Sequence, residues 1–413
     1  MTESEAARVR QAARDGLGEA VTFLQAMVRT PSVNPPGEYE AISQVVDAEF
    51  RRVGLDSQRL KVPDARVDVA GLQTPRWNVL GFLRGGSARP TVVLNPHLDT
   101  VPVSGEWSSP PFAAEIREGR VIGRGASDSK GRIACYTYAL AALARAGVRL
   151  RGQAVVAATA DEETGGHLGP GYLLESGLLP ADYAIVEGGT YSVWIANNGV
   201  LHLEVTLQGT PAHASRPERG HDAIAAMGRV LAAIERYRVA LQSTTSRIPG
   251  LRHPTVVVGT IAGGVKTNVV PDRCTITIDR RVLPDENFAA VEAELIGTLA
   301  EAARELPGIS FETRVVLRAE PYGPTPEDSP VVQALRRRAR EVLGEDIPAV
   351  GSSGFGDARF FWLRGIPTAN YGPGPREGGN SNAHAGDENM GIEDLGKAIE
   401  VLALAVADLA GTT

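Results

Sequence analysis

The chain has 413 residues, more than a single hydrophobic core serves well, so two domains are expected. Its 43% hydrophobic and 22% charged residues are those of a globular protein and exclude a disordered or fibrous chain. A formal net charge of −7, with no long Lys/Arg cluster, excludes nucleic acid and anionic membrane surfaces as general partners.

The N-terminus, MTESEAARVRQ, mixes acids with arginines and lacks an apolar h-region, so it does not read as a signal peptide. No apolar run reaches membrane-spanning length. The first half alternates helical patterns with short apolar runs ending in Gly, Pro or charged residues, the signature of βαβ units. Those runs are Thr91 to Leu94, Ala154 to Ala160 and Tyr183 to Val186. Between the first two, Gly131 to Ala146 has helical spacing and stops at Gly147, a C-capping residue.

From Gly199 the pattern changes. Strand (Val200 to Gln208), helix (Asp222 to Leu241), two strands (Thr255 to Ile261, Asn268 to Val282), helix (Phe288 to Leu306) and strand (Ile309 to Arg318) follow in turn. That order, βαββαβ, is the ferredoxin-like split βαβ unit, here inserted into a larger α/β domain. The last third returns to the first style, with a helix over Pro330 to Leu343, a strand near Pro367 to Tyr371 and a closing helix from Gly391 to Leu409. The expected domains are therefore 1–198 with 320–413, and 199–319. Cys135 lies in the apolar helical stretch Ile133 to Ala144 and Cys274 in an alternating strand-like stretch, so each reads as a single buried thiol, which points to a reducing cytoplasm without disulfides.

Acidic and His residues gather where strands of the larger domain end, which is where open α/β sheets place their sites. His97 and Asp99 follow the first run, and Asp128 precedes the helix at Gly131. Asp161, Glu162 and Glu163 end the second run, Glu187 ends the third, and His384 follows the Gly/Pro-rich loop 372–379. Any one of these alone reads as a solvated loop residue. Several carboxylates in one crevice repel one another and resist desolvation, so the group calls for cations. Two divalent ions meet the need, and His and carboxylate ligands without thiolates suit zinc, with cobalt or manganese as alternatives.

At this point the sequence resembles the dinuclear zinc hydrolases that include acetylornithine deacetylase, succinyl-diaminopimelate desuccinylase, carboxypeptidase G and aminoacylase. The resemblance spans nearly the whole chain and rests on six segments in order. They are Asn95 to Pro102 (NPHLDTVP), Gly123 to Gly131 (GRGASDSKG), Asp161-Glu162-Glu163, Gly209 to Ser215 (GTPAHAS), Asn268 to Pro271 (NVVP) and His384 to Glu388 (HAGDE). It implies an α/β/α zinc-hydrolase domain carrying a ferredoxin-like lid through which the chain forms a homodimer. It makes His97 and Glu187 ligands of one metal, Glu163 and His384 ligands of the other, and Asp128 the bridge. Asp99 becomes the residue that orients the His97 ring, and Glu162 the general base. His213 would stabilise the oxyanion in the partner subunit's site, while Asn268 and Arg281, with Arg280 competing, would grip a substrate carboxylate. The resemblance also implies a cis peptide after Asp128.

Two departures bear on the substrate. The deacetylase pattern Glu-Pro-Thr is replaced by Glu187-Gly188-Gly189-Thr190, which leaves Glu187 as the available carboxylate. The substrate-side loop reads Ser353-Gly354-Phe355-Gly356-Asp357, where Gly354 and Phe355 would face substrate and Phe355 either lines an acyl pocket or simply packs. The leading reading is an N-acyl amino acid deacylase. The second is a dipeptidase, a carboxypeptidase or a hydrolase of another C–N bond, carbamoyl or arylamine. The third, a catalytically silent binding protein, is opposed by the joint retention of Glu162, both metal histidines and Asp128.

Overall fold

A computed structural model describes residues 1–304, 307–376 and 379–413. Its centre is the strand Thr91–Asn95, buried at all five positions. It pairs in parallel with Gln153–Ala158 on one side and Tyr183–Val186 on the other. Strands covered on both faces need apolar residues at every position, which is why these segments read as continuous runs rather than alternating ones. Thr368–Asn370 extends the parallel set, and Trp77–Leu83 joins it antiparallel from the opposite side. The complete eight-stranded order is Asp56–Lys61, Trp77–Leu83, Gln153–Ala158, Thr91–Asn95, Tyr183–Val186, Thr368–Asn370, Val193–Asn197, Ala349–Ser352.

Helix Gly131–Arg145 is buried from Ile133 to Leu143, as a helix apolar on all sides must be. With the closing helix Ile392–Ala410 and the N-terminal helices Glu3–Asp15, Leu17–Val28 and Glu40–Arg52, it contributes to the main core. A small sheet pairs Asn389–Gly391 with Arg120–Ile122, and that strand with Glu115–Arg117. It ties the segment after His384 to the one before Asp128.

Contacts divide the chain into two units, Met1–Ile195 with Thr325–Val350 and Gly356–Thr413, and Ala196–Pro324 with Gly351–Phe355. The second carries an antiparallel sheet ordered Thr255–Gly263, Arg273–Val282, Gly199–Gln208, Ser310–Ala319, with helices Ala223–Leu241 and Phe288–Arg304. Leu201, Leu203, Val205 and Leu207 point into its core with Cys274, Ile276 and Ile278, a period of two that buries one sheet face against the helices. This is the expected βαββαβ unit.

The differences from expectation are local. The strand expected from Asn268 begins at Arg273, because Pro271 has no N–H for the ladder and Val269 bridges to His213 instead. The expected run to Ala160 ends at Ala158, since Asp161 turns the chain with φ 75°. The expected helix end at Leu306 lies outside the described residues, as do residues 377 and 378 of the Gly/Pro-rich loop. Four strands of the large sheet, Asp56–Lys61, Trp77–Leu83, Val193–Asn197 and Ala349–Ser352, were not anticipated, nor were the three short strands of the small sheet. Among the described residues no helix is long and apolar enough to cross a membrane. Cys135 and Cys274 are buried free thiols.

Candidate metal centre

Three adjacent parallel strands deliver the site. Register places Asn95 beside Val186 and Leu94 beside Val156, so the residues just beyond these positions emerge at one edge of the sheet. His97 and Thr159 still bridge one step further on. His97, the pair Glu162 and Glu163, and Glu187 are therefore neighbours because their strands are. Asp128 enters from the loop before helix Gly131–Arg145, through a cis peptide to Ser129 as the resemblance implied. His384 enters from the loop before Asn389, at φ 64°.

The geometry is paired about Asp128. Its Oδ1 lies 3.1 Å from His97 Nε2 and its Oδ2 lies 3.2 Å from His384 Nε2. Each imidazole has a further carboxylate, Glu187 Oε2 at 3.5 Å from His97 Nε2 and Glu163 Oε2 at 3.4 Å from His384 Nε2. His97, Asp128 and Glu163 offer donor atoms that all lie within 4.8 Å of one another. Glu162 stands beside this set, its Oε2 3.8 Å from His97 Nε2.

The orientation of the His97 ring is set by a backbone carbonyl. Its Nδ1–H donates to the Asp99 carbonyl at 2.9 Å, which leaves the Nε2 lone pair of the neutral ring directed into the cluster. This contact is made by the Asp99 backbone; the nearest Asp99 carboxylate oxygen is 3.6 Å away. That carboxylate instead accepts the N–H groups of Glu162 and Glu163, both at 3.3 Å, and so fixes the turn that presents them.

The electrostatics express a demand for positive charge. Burial alone would raise the Asp128 carboxyl, yet hydrogen bonds from His384 and His97 hold it well below the usual range. Hydrogen bonds to Asp128 and Glu163 lift His384 to about 10. Burial opposes a charge on His97, but Glu187, Asp128 and Glu162 together raise it well above normal. Burial also raises Glu163, and it pushes Glu162 well above the carboxylate range. Glu163 Oε1 is buried with no hydrogen-bond partner among the described residues. An unspent buried lone pair, two imidazoles whose Nε2 atoms each face two carboxylates and an all-N/O donor set fit two divalent cations.

Sequence reading missed the residues that support these groups. Asn34 Nδ2 donates to Asp99 Oδ2 at 2.9 Å and lies 3.2 Å from Asp161 Oδ1. Asp161 is paired with fully buried Arg76 at 2.9 Å and so belongs to the support rather than to the cluster. Glu388 lies inside a segment already singled out, yet its role, accepting backbone N–H groups of the Asp128 loop, shows only in three dimensions. Lys130 Nζ, also buried, donates to the carbonyls of Met27 and Thr30, and burial brings it down to about 7. Asp357 Oδ1 is buried and unpartnered among the described residues, and burial pushes its carboxyl to about 7. The run Asn34-Pro35-Pro36-Gly37 was the one available signal, a turn with a polar residue at its head.

The second unit holds the remaining candidates. His213 is exposed, and its Nδ1 accepts the Ser215 N–H at 3.1 Å, which places the proton of the neutral ring on Nε2. Arg281 forks onto Asp279 at 2.9 and 3.0 Å and lies 5.6 Å over the Phe355 ring. Arg280 is fully buried against Glu286, so Arg281 is the one of the pair that solvent reaches. Asn268 and Gly354 are exposed. His202 pairs with Asp279, and His253 with the Thr244 carbonyl, both structural contacts.

Known proteins are similar to this chain in sequence and in fold. Acetylornithine deacetylase of Myxococcus xanthus is 32% identical over 369 residues, 88% of this chain and 90% of that protein. Aminoacylase-1A of Rattus norvegicus is 28% identical, with 86% of each chain covered. The structure of human carnosine dipeptidase 1 superposes with a TM-score of 0.76 over 98% of each chain at 17% identity, a likeness of fold. The family description "Peptidase family M20/M25/M40" matches residues 93–408, a span that takes in both imidazoles and every carboxylate of the cluster. The chain belongs to that family of metal-dependent hydrolases.

Proposed function

We propose that this chain removes the acyl group from an N-acyl amino acid, with His97 and Glu187 holding one metal ion, Glu163 and His384 the other, and Asp128 bridging them. The observation that carries the reading is the position of Asp128, one oxygen towards each imidazole and each imidazole with its own second carboxylate. Zinc is the proposed metal, since it accepts imidazole and carboxylate at low coordination number. When bound, the ions polarise the scissile carbonyl and acidify the attacking water.

The chain's own groups do the rest. Glu162, whose carboxyl is raised by burial, takes the water's proton and delivers it to the departing nitrogen. Asp99 fixes the turn on which Glu162 and Glu163 sit. His213, with its Nε2–H free to donate, would steady the oxyanion in the site of a second copy. Val257 and Ile261, more than half exposed on the edge strand Thr255–Gly263, support a homodimer through that unit. Arg281 and Asn268 are the proposed grips for the substrate carboxylate, with Gly354 and Phe355 beside the acyl group. Two buried free thiols support a cytoplasmic location.

Acyl amino acids are favoured as substrates because the curated relatives above are named deacetylase and aminoacylase. The test is turnover by metal-loaded protein of N-acetyl, N-succinyl and N-carbamoyl amino acids and of dipeptides. Fastest turnover of an N-acyl amino acid is the expected result; dipeptides outrunning every acyl amino acid would overturn the substrate assignment.

A further inference from the structure

Arg132 lies one turn beyond Asp128, on the helix whose N-terminus the Asp128 loop forms. Its Nη1 donates to the Ser127 carbonyl and stands 3.5 Å from Asp128 Oδ1. That is the same oxygen that faces His97. The side chain is 14% exposed, and its Nε is buried without a partner among the described residues. The stem is enclosed as well, since a Cβ on Gly372 would meet Arg132 Cγ at 3.5 Å. A guanidinium held in this way is a fixed positive charge, permanently ionised and poorly screened by salt.

The two halves of the cluster differ in a second respect. Glu187 Oε1 already accepts the His97 N–H at 2.8 Å and the Ser129 hydroxyl at 2.5 Å, whereas Glu163 Oε1 is unspent. On the reading that these residues are the ligands, the geometry points to Arg132 as the residue that makes the two metal positions unequal. Its charge lowers the affinity of the His97–Glu187 position below that of the Glu163–His384 position. The guanidinium repels a divalent ion there, and it draws electron density from the Asp128 oxygen the ion would use. Both effects fall off with distance, and the other half of the cluster faces Asp128 Oδ2.

Calorimetric titration of the metal-stripped full-length chain with Zn²⁺ tests this. Wild type should show two dissociation constants, and Arg132→Met should tighten the weaker one by about tenfold or more while moving the stronger one less. Arg132→Lys, which keeps the charge, should keep the gap. In a His384→Ala background, which leaves the His97–Glu187 position, Arg132→Met should still tighten binding; in a His97→Ala background it should have little effect. Two bound zinc ions whose constants do not move, or move equally, in Arg132→Met would overturn the inference and leave the ligand assignment standing. No zinc bound by wild type would overturn both.

Discussion

The Glu388 carboxylate accepts the backbone N–H of Asp128 at 2.9 Å across 260 residues of sequence. The same side chain accepts the N–H groups of Ser127 and Gly125, both at 3.0 Å, and Arg124 Nη1 at 2.6 Å. It is fully buried, as is Arg124. One carboxylate thus organises the loop that presents Asp128. Because Glu388 stands four residues after His384, it also couples the two segments that close one half of the cluster.

Removal of Glu388 leaves Arg124 buried without its counter-charge and three N–H groups without an acceptor. Glu388→Ala is expected to cost about 3–5 kcal/mol of stability and to weaken binding of both metals. Denaturant unfolding with zinc analysis of the folded fraction measures both. A loss under about 1 kcal/mol with full metal content would contradict the role given to Glu388.

Glu162 is proposed to move a proton without holding a metal. Glu162→Gln should retain both metals and lose more than about nine-tenths of kcat, since only the proton acceptor is removed. Elemental analysis beside steady-state kinetics decides it, and near-normal kcat would mean that another base serves.

Chelation should abolish activity, and zinc, cobalt or manganese should restore it, because neutral water is too weak an acid to attack an amide unaided. Activity that survives exhaustive dialysis against chelator, in protein shown to be metal-free, would exclude the proposed mechanism.

His213 offers a test of the proposed dimer. If His213 serves the partner subunit's site, Glu162→Ala and His213→Ala homodimers are both inactive, but a mixed dimer carries one intact site. Refolding the two inactive variants together at equal amounts makes about half the dimers mixed and should return about a quarter of wild-type activity. No recovery on mixing would place His213 outside the partner's site.

Away from the cluster, Glu19 joins Arg145 and Arg52, both at 2.8 Å. Hydrogen bonds from Arg145 and then Arg52 lower its carboxyl from 4.5 to about 2. A depressed folded-state pKa adds stability that is present above pH 4.5 and lost as pH falls towards about 2. The groups are between one third and one half exposed, so solvent screening limits the contribution to about 1 kcal/mol. Glu19→Gln should therefore lower stability by that amount at pH 7 and have almost no effect near pH 2. Equal losses at both pH values would show that the loss is one of packing.

The sequence alone located the central parallel strands, the inserted unit and the acidic and His residues that gather at the strand ends. The run Thr91 to Leu94 read as a strand of a βαβ unit, and the structure buries it at every position. The βαββαβ order of the insert followed from the switch between periods of two and 3.6. His97, Glu163 and Glu187 could be named because each lies directly beyond a strand, where the sheet topology alone brings them together. Asn34, Arg76, Arg132 and Glu388 could not, and neither could the fact that the Asp99 backbone, rather than its carboxylate, meets the His97 ring. Their roles depend on single hydrogen bonds and charges between segments far apart in sequence, such as Asn34 with Asp99 and Glu388 with Asp128. Such contacts leave no periodicity along the chain. They form only after the strands and helices have packed, because desolvation then makes every buried N–H and carboxylate costly unless it finds a partner.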